Sequence, residues 1–597
     1  MPWTMPEGKP RRTDPGHRAW LLGRVRAYLD TGGRTRSGFV RAEREASQGR
    51  TLPYATSADL ADLPWGEIVS AARDAAAPPP AAPPPVTFGD DFDFDDAPDT
   101  IREDRRTLAE RDGVALEPGP APTPAPAPEV EPRRSGVYVV TYAQNATPVD
   151  DNFLASLLVY CKARGGELVV IPGRYRNPTS RWTQHNESDE WWDPRIAPYV
   201  YRGQLEIAPT LIAYGNVPIQ PTAVTPLSGL EACCGAASAI FGHPKIQLTT
   251  IPGEDTDSAR VMTTTGAVTV PNYTDSKAGW KGDLHHVTGA CVVEVDGDDW
   301  HLRQINADAS GAFYDLDRHY SPDGVEAAPP ALGLVLGDVH VAQVDPDVVE
   351  ATLRAPDSMA ATLRPRQVVY HDLLDFRARN HHEIKNPDGR YQRAVGDLPD
   401  SVEAEVLEAI AFLDATPDGC DPIVVPSNHD EAFDRWLREA DPNVDPVNAR
   451  FYHDTRASVL GEYDRTGVWP SALALVYRLR GGGRARFIDR SEPFKIAGIA
   501  CNFHGDKGPG GSRGTIAGYA KLGVKTIIGH GHGPGIRDGC TQVGVSGQLN
   551  MGYNAGAPSS WAHAHCVIYA NGKRSLIFIK RGRWRARPEV EAERAAA

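Results

Sequence analysis

Residues 527–535 read IIGHGHGPG. His530 and His532 stand one residue apart in a glycine-rich turn, directly after the β-branched run at 524–528. Such a run predicts a buried strand. A lone pair of histidines after a strand is most often part of a surface loop. The pattern therefore indicates a metal site only if other parts of the chain supply further ligands.

The same layout recurs upstream, from residue 332 onward. Four further apolar runs end in polar residues, in the segments LGLVLGDVH, RQVVYHDLLD, DPIVVPSNHD and FKIAGIACNFHGD. In an α/β sheet the carboxyl ends of the strands border one crevice, so we expect these side chains to converge. The residues delivered at the five ends are Asp338, His340, Asp372, Asp375, Asn428, His429, Asp430, His504, His530 and His532.

These segments resemble the motifs of the calcineurin-like metallophosphoesterase superfamily, which run D-x-H, G-D-x-x-D, G-N-H-D/E, H and G-H-x-H. Here they read GDVH, HDLLD, SNHD, FHGD and GHGH, and the resemblance spans roughly residues 332–570. His371 and Ser427 stand where the family has glycine. Both departures change the freedom of the backbone at a ligand turn and leave the ligands themselves in place.

The resemblance implies a centre of two divalent metal ions, with manganese expected and iron, zinc or magnesium as alternatives. Mixed carboxylate, amide and imidazole ligands suit such ions. His429 would protonate the leaving oxygen or stabilise charge on it, the alternative being a buried structural histidine. By motif, three ligands would hold one ion, three the other, and one carboxylate would bridge both: Asp338, His340 and His532; Asn428, His504 and His530; and Asp372.

The implied activity is hydrolysis of a phosphate ester by a dinuclear phosphodiesterase. A narrower similarity, carried by residues 273–308 and by GHGHGPG, is to phage proteins of DNA transfer and host takeover. Because those proteins are associated with the breakdown of host DNA, the resemblance implies a nuclease, with DNA as the expected substrate. Hydrolysis of a small phosphoester, such as a cyclic nucleotide or a phosphomonoester, and an inactive scaffold that binds host factors remain open as alternatives.

Composition restricts the classes of function. The chain of 597 residues is 41% hydrophobic and 24% charged, which is ordinary for globular proteins. No apolar run reaches the ~20 residues of a membrane helix, and the N-terminus has no signal-peptide core, so we expect a cytoplasmic protein without a membrane partner. A net charge of −15 argues against a generally basic protein that coats nucleic acid.

The predicted fold class is α/β, and the sequence leaves the oligomeric state open. At the N-terminal end, residues 1–75 are predicted to be a small helical module that binds DNA or a host protein. At the C-terminal end, residues 586–597 are predicted to be a disordered tail. Residues 76–134 are rich in proline and acidic residues, which indicates a linker that could also contact a host partner. We expect an α/β accessory domain at 135–330 and a metallophosphoesterase β-sandwich flanked by helices at 331–585.

Within the accessory segment, two patterns are specific enough to test. The runs at 136–142 and 167–171 flank a helix-like run at 152–162, which predicts a β-α-β unit. The alternating runs at 290–295 and 300–305 predict a pair of antiparallel strands.

Overall fold

The computed structural model describes residues 135–173, 191–254, 259–380 and 386–587, together with Leu21, Arg24 and Val25, which are helical. The remainder of the predicted module at 1–75, the linker at 76–134 and residues 588–597 therefore lie outside the described residues. The described part mixes strands and helices throughout, so the α/β class is confirmed. None of its helices is both long and apolar enough to cross a bilayer.

Strands dominate the first part of the described chain. Its helices are α1 (Asp151–Arg164), α2 (Glu231–Cys234) and α3 (Lys277–His285). The strands are β1 (Ser135–Ala143), β2 (Glu167–Pro172), β3 (Gln204–Ala208), β4 (Leu211–Tyr214), β5 (Ser238–Phe241), β6 (Leu248–Ile251), β7 (Arg260–Thr264), β8 (Gly289–Asp296), β9 (Asp299–Asn306), β10 (Phe313–Asp315), β11 (Arg318–Ser321) and β12 (Gly324–Ala327).

The second part carries most of the helices. They are α4 (Pro346–Val349), α5 (Met359–Leu363), α6 (Pro387–Val395), α7 (Val402–Asp414), α8 (Asn428–Glu439), α9 (Ala449–Thr466), α10 (Ala472–Leu479) and α11 (Ile516–Ala520). The strands are β13 (Gly333–Val335), β14 (Gln367–Tyr370), β15 (Asp421–Val424), β16 (Arg486–Phe487), β17 (Lys495–Ile496), β18 (Ile499–Ala500), β19 (Thr526–Ile528), β20 (Gly535–Arg537), β21 (Cys540–Gln542), β22 (Ala564–Ile568) and β23 (Arg574–Phe578).

Two facing sheets form the core of the second part. One has the order β16-β15-β14-β13-β22-β23, with β13 to β16 parallel to one another. Its residues alternate between faces, as strand geometry requires. Val368 packs against a helix-covered core with Phe412 and Phe433, whereas Val369 packs in a second core with Ile499 and Ile527 of the other sheet.

The facing sheet crosses the boundary that the sequence places at residue 330. Its ten strands run β17-β18-β19-β21-β20-β6-β7-β5-β4-β3, so strands from both segments share it. The junction is the antiparallel pairing of β20 with β6, where Ile536 lies opposite Leu248. Strands from the two predicted segments therefore share one sheet, and the described residues between 135 and 587 belong to one compact unit. Apolar periodicity reports which face of a strand is buried, but not which strand pairs with its edge.

The β-α-β unit is confirmed, because β1 and β2 pair in parallel and α1 connects them. The antiparallel pair is confirmed as β8 and β9, which join β1 in a four-stranded sheet.

At the far end of the chain, the backbone N–H of Ala586 donates to Glu294 on β8 over 3.0 Å, and Arg587 lies 3.4 Å from Asp296. These first two residues of the predicted disordered tail are thus held in place.

Candidate metal centre

The predicted ligands converge at one edge of the two facing sheets. Parallel strands β13, β14 and β15 end there in one sheet, and parallel strands β18 and β19 end there in the other. Each ligand follows one of these strands within a few residues, which is why the strand ends bring them together. The residues gathered there are Asp338, His340, Asp372, Asn428, His504, His530 and His532.

One group consists of Asp338, His340, Asp372 and His532, all buried, with one ligand atom of each within 4.8 Å of the others. His532 Nε2 lies 3.1 Å from Asp338 Oδ2 and 3.2 Å from His340 Nε2. His340 Nε2 is in turn 3.8 Å from Asp372 Oδ2. The group therefore places imidazole nitrogens and carboxylate oxygens around one small volume.

A second group shares Asp372 with the first and adds His504 and His530. His504 Nε2 lies 3.1 Å from Asp372 Oδ2 and 3.1 Å from the amide oxygen of Asn428. The same Asp372 oxygen thus faces ligands of both groups. This is the position that the motif assigns to a bridging carboxylate.

The geometry fits a metal ion. Two ligand atoms about 2.0–2.2 Å from a common ion stand about 2.8–3.6 Å apart at usual coordination angles, and the shortest contacts above fall in that range. Asp338 Oδ1, a buried atom of the cluster, has no hydrogen-bond partner among the described residues, which is costly unless a further partner completes it. The buried cluster could therefore hold a metal ion.

Backbone strain concentrates at the ligands. His340, Asp372, His530 and His532 have φ values of 49°, 45°, 66° and 52°, in the left-handed region that residues with a Cβ seldom occupy. Each such residue costs on the order of 1–3 kcal/mol and persists only where its surroundings impose it. Strain at four ligands of one cluster is therefore typical of a functional site.

The glycines of the opening motif leave room for neighbouring side chains, while His530 and His532 themselves adopt the strained conformation. Gly529 leaves room for the Asp338 carboxylate, since a Cβ there would lie 2.2 Å from Asp338 Oδ1. A Cβ at Gly531 would meet the amide nitrogen of Gln542 at 2.2 Å.

His371 and Ser427, the two departures from the motifs that the sequence resembles, do not strain the backbone. Ser427 has a φ of −124° and caps α8, where its hydroxyl accepts from Asp430 N and donates to Asp430 Oδ2. His371 is absent from the residues with positive φ. Neither position therefore requires glycine in this chain, and the ligand turns tolerate both side chains.

The electrostatics of the cluster favour charged carboxylates next to protonated imidazole. Burial alone would raise the pKa of the Asp372 carboxyl, yet His504 and His429 hold it well below its usual range. Burial would lower the pKa of His504, but Asp372 and Asp338 outweigh it and raise that pKa to about 9. The proton on His504 thus supplies positive charge beside the carboxylates of Asp338 and Asp372.

His429 borders the cluster and is less buried than the ligands, with 23% of its side chain exposed. Its backbone N–H lies 3.4 Å from Asp372 Oδ1 and its ring packs edge-on against His340. Its Nδ1 is 3.1 Å from the carbonyl oxygen of Asp375. Because a carbonyl only accepts, Nδ1 carries the hydrogen and Nε2 is the nitrogen left for other chemistry.

Asp375 belongs to the site although the sequence assigns it no role. It is buried, its Oδ1 lies 3.3 Å from His340 Nδ1, and its Oδ2 accepts from Gln343 Nε2 over 2.7 Å. Burial would raise the pKa of Asp375, but His340 holds it below its usual range. The signal was present as the second aspartate of HDLLD, three residues after Asp372.

Aromatic rings continue the site toward the surface. The Trp561 ring packs against that of His532, with centroids 4.2 Å apart, and Tyr553 packs on Trp561 at 5.6 Å. Tyr553 is 63% exposed. An exposed aromatic surface therefore adjoins one of the candidate ligands.

Comparison with known proteins finds a similar phage protein. The chain is 34% identical over 469 residues to Protein A1 of Escherichia phage T5, a match that covers 75% of this chain and 82% of the relative. No protein-family model matches the chain.

We predict that Gly529→Ala abolishes metal binding while the protein stays folded. The added Cβ would displace the Asp338 carboxylate from the cluster, since the two would lie only 2.2 Å apart. Metal content after dialysis against manganese, measured by inductively coupled plasma mass spectrometry, checks this.

Gly461→Ala is the matched control, because a Cβ at Gly461 has nothing within 4 Å. That variant should keep the metal content of the wild type, with a small gain in helix stability of about 0.5–1 kcal/mol. Full metal binding by Gly529→Ala would show that the turn does not shape the site.

We also predict that manganese binding releases protons at neutral pH. A ligand must be deprotonated to bind metal, and the pKa of His504 near 9 means that its ring is protonated at pH 7 in the metal-free protein. Calorimetry in buffers of different ionisation enthalpy should report the release of about one proton or more per protein, and affinity should rise with pH.

The raised pKa of His504 also affects the stability of the protein without metal. Its contribution to stability is full at pH values below 6.5, the ordinary pKa of histidine, and is lost as the pH rises through about 9. The free energy of unfolding of the protein in EDTA should therefore fall across that window. A flat profile with no proton release on metal binding would contradict the assignment of His504 as a charged group in the cluster.

Proposed function

The chain belongs to the family of Protein A1 of Escherichia phage T5, and we propose that it is a dinuclear metal-dependent phosphodiesterase that hydrolyses DNA. The observation that carries the proposal is the buried Asp372 carboxylate, one oxygen of which faces His340 on one side and His504 on the other. Two ligand groups joined by one carboxylate are the arrangement that a pair of metal ions requires. Calcineurin-like metallophosphoesterases, which the motifs resemble, use such a pair.

The motifs suggest how the residues would divide between the two ions. Asp338, His340 and His532 would hold one, and Asn428, His504 and His530 the other, with Asp372 between them. The mixed oxygen and nitrogen ligands suit manganese, with iron, zinc or magnesium as alternatives. When bound, two divalent ions neutralise the charge of a phosphate group and make water a stronger nucleophile.

His429 is the residue best placed to move a proton. Its Nδ1–H donates to the carbonyl oxygen of Asp375, which fixes the ring and leaves Nε2 unengaged by that contact. A protonated Nε2 could donate to the oxygen that leaves phosphorus, or to a phosphate oxygen as charge builds on it. Its partial exposure lets a substrate reach the ring, whereas His340 behind it is fully buried.

The aromatic surface beside the centre favours a nucleic acid over a small phosphoester. Nucleobases stack on exposed aromatic rings without regard to sequence, which contributes about 1–3 kcal/mol per base. Tyr553, with Trp561 beneath it, offers such a surface next to His532. The ions would supply positive charge at the centre itself, although the chain as a whole carries −15 at neutral pH.

The test is hydrolysis of linear and circular double-stranded DNA with manganese, beside an EDTA control. We predict that Asp372→Ala loses both metals and nearly all turnover. His429→Ala should keep both metals but lose about 10²- to 10⁴-fold in kcat, the usual contribution of a general acid. His453→Ala, which changes an exposed histidine on α9, is the matched control and should behave like the wild type.

Parallel assays with a cyclic nucleotide and a phosphomonoester separate the alternatives. Metal-dependent and His429-dependent cleavage of only these compounds would move the assignment to a small-molecule phosphoesterase. A protein that binds no transition metal and cleaves none of the substrates would instead support a scaffold that binds host factors. Unchanged DNA cleavage by His429→Ala or Asp372→Ala would mean that the site is misassigned.

A further inference from the structure

A second site lies at the other end of the sheets. A cavity of about 550 Å³ opens between the start of β19 and the β22–β23 turn, against residues of β9 and α3. Arg574 lines it and donates to the carbonyl oxygen of Thr526 at the beginning of β19 over 3.2 Å. His530 follows the opposite end of the same strand. The cavity is therefore separate from the candidate metal centre, and its volume is typical of a small-molecule site.

The cavity carries an excess of positive charge. Its lining includes four cationic side chains, Lys245, Lys525, Lys573 and Arg574, against the single carboxylate of Asp538. Lys245 forms an ion pair with that carboxylate. Within the part of the chain that the structure describes, no carboxylate lies within ion-pair distance of the other three.

Arg574 is the cation of the cavity that most clearly lacks a counter-ion among the described residues. Its guanidinium donates to the carbonyl oxygens of Thr526 and Gly539, which leaves its charge without a counter-ion among the described residues. Burial lowers the pKa of Arg574, and burial together with the neighbouring Lys525 lowers that of Lys573. Charges held this way are costly unless an anion joins them.

The polar and apolar walls add a second requirement. Gln304 donates through Nε2 to Thr263 Oγ1 over 2.9 Å, while its Oε1 has no partner among the described residues. Thr541 Oγ1 is likewise unpartnered and buried. Leu284, 62% exposed, and Val524, 49% exposed, supply an apolar side. A ligand that fits this cavity would carry an anionic group, hydrogen-bonding atoms and a flat apolar portion. A nucleotide has all three.

We propose that this cavity binds a small phosphate-bearing molecule of the nucleoside monophosphate class. The phosphate lies against Lys525, Lys573 and Arg574, and the nucleoside lies toward Gln304 and Leu284. The site does not depend on the metal centre or on the proposed hydrolysis.

The test is calorimetric titration of the full chain with adenosine 5′-monophosphate in EDTA, which keeps phosphate away from any metal. Lys525→Glu and Lys573→Glu should each weaken binding by about tenfold or more, as expected for the loss of a charge-assisted contact. Lys162→Glu, the same charge change at an exposed residue of α1, should leave affinity unchanged. Asp372→Ala should also bind as the wild type does, because the metal centre is not involved.

Adenosine and inorganic phosphate complete the titration. The proposal requires that adenosine binds at least tenfold more weakly than the monophosphate, because it lacks the anionic group. Inorganic phosphate binding as tightly as the nucleotide would overturn the nucleoside part of the assignment. Displacement of the nucleotide by a single-stranded oligonucleotide would overturn the small-ligand assignment. The absence of nucleotide binding, or wild-type affinity in both lysine variants, would overturn the site.

Discussion

The buried carboxylates of Asp338 and Asp372 are the constraint on which the candidate centre depends. Asp338 Oδ2 accepts from the backbone N–H of His530 over 2.7 Å and lies 3.1 Å from the ring of His532, so it joins the end of β13 to the turn after β19. Asp372 joins the end of β14 to His504 and to the first turn of α8, where it accepts from His429 N. Two acidic side chains thus tie together the loops of both facing sheets.

This arrangement is expensive in the absence of a cation. Both carboxylates are fully buried, and the imidazole of His504 keeps them charged by taking on a proton at unusually high pKa. Four of the candidate ligands, Asp372 among them, have left-handed backbone, and several buried polar atoms lack partners among the described residues. A scaffold with extensive apolar cores on both sides of the six-stranded sheet can bear that cost. Such a concentration of unfavourable features at one point is typical of a site kept for function.

Much of this centre could be predicted from the sequence. Each candidate ligand follows an apolar run, and parallel strands deliver their carboxyl ends to the same edge, so His340 and His532 meet despite their separation along the chain. Asp375 was visible in its motif but had no assigned role, because its partners, Gln343 and His340, follow a different strand. The role of Gly529 could not be predicted, since only the folded structure brings Asp338 Oδ1 next to it.

Other features could not be predicted because they depend on which strand edges pair, whereas the apolar pattern shows only which face of a strand is buried. The pairing of β20 with β6 rests on two residue pairs and merges segments that look independent in the sequence. The basic cavity combines single residues from distant segments, such as Lys245, Gln304 and Lys573, none of which forms a motif by itself. Local patterns identify what a segment buries, whereas such sites arise from how the segments are assembled.

The most direct measurement of a carboxylate-bridged pair of ions is electron paramagnetic resonance of the protein loaded with two equivalents of Mn²⁺. Ions that share the Asp372 carboxylate would lie about 3.5–4 Å apart, close enough for their spins to couple. We predict the multiline spectrum of a coupled pair in the wild type and its loss in Asp372→Ala. A simple six-line spectrum that saturates at one equivalent would contradict the dinuclear centre.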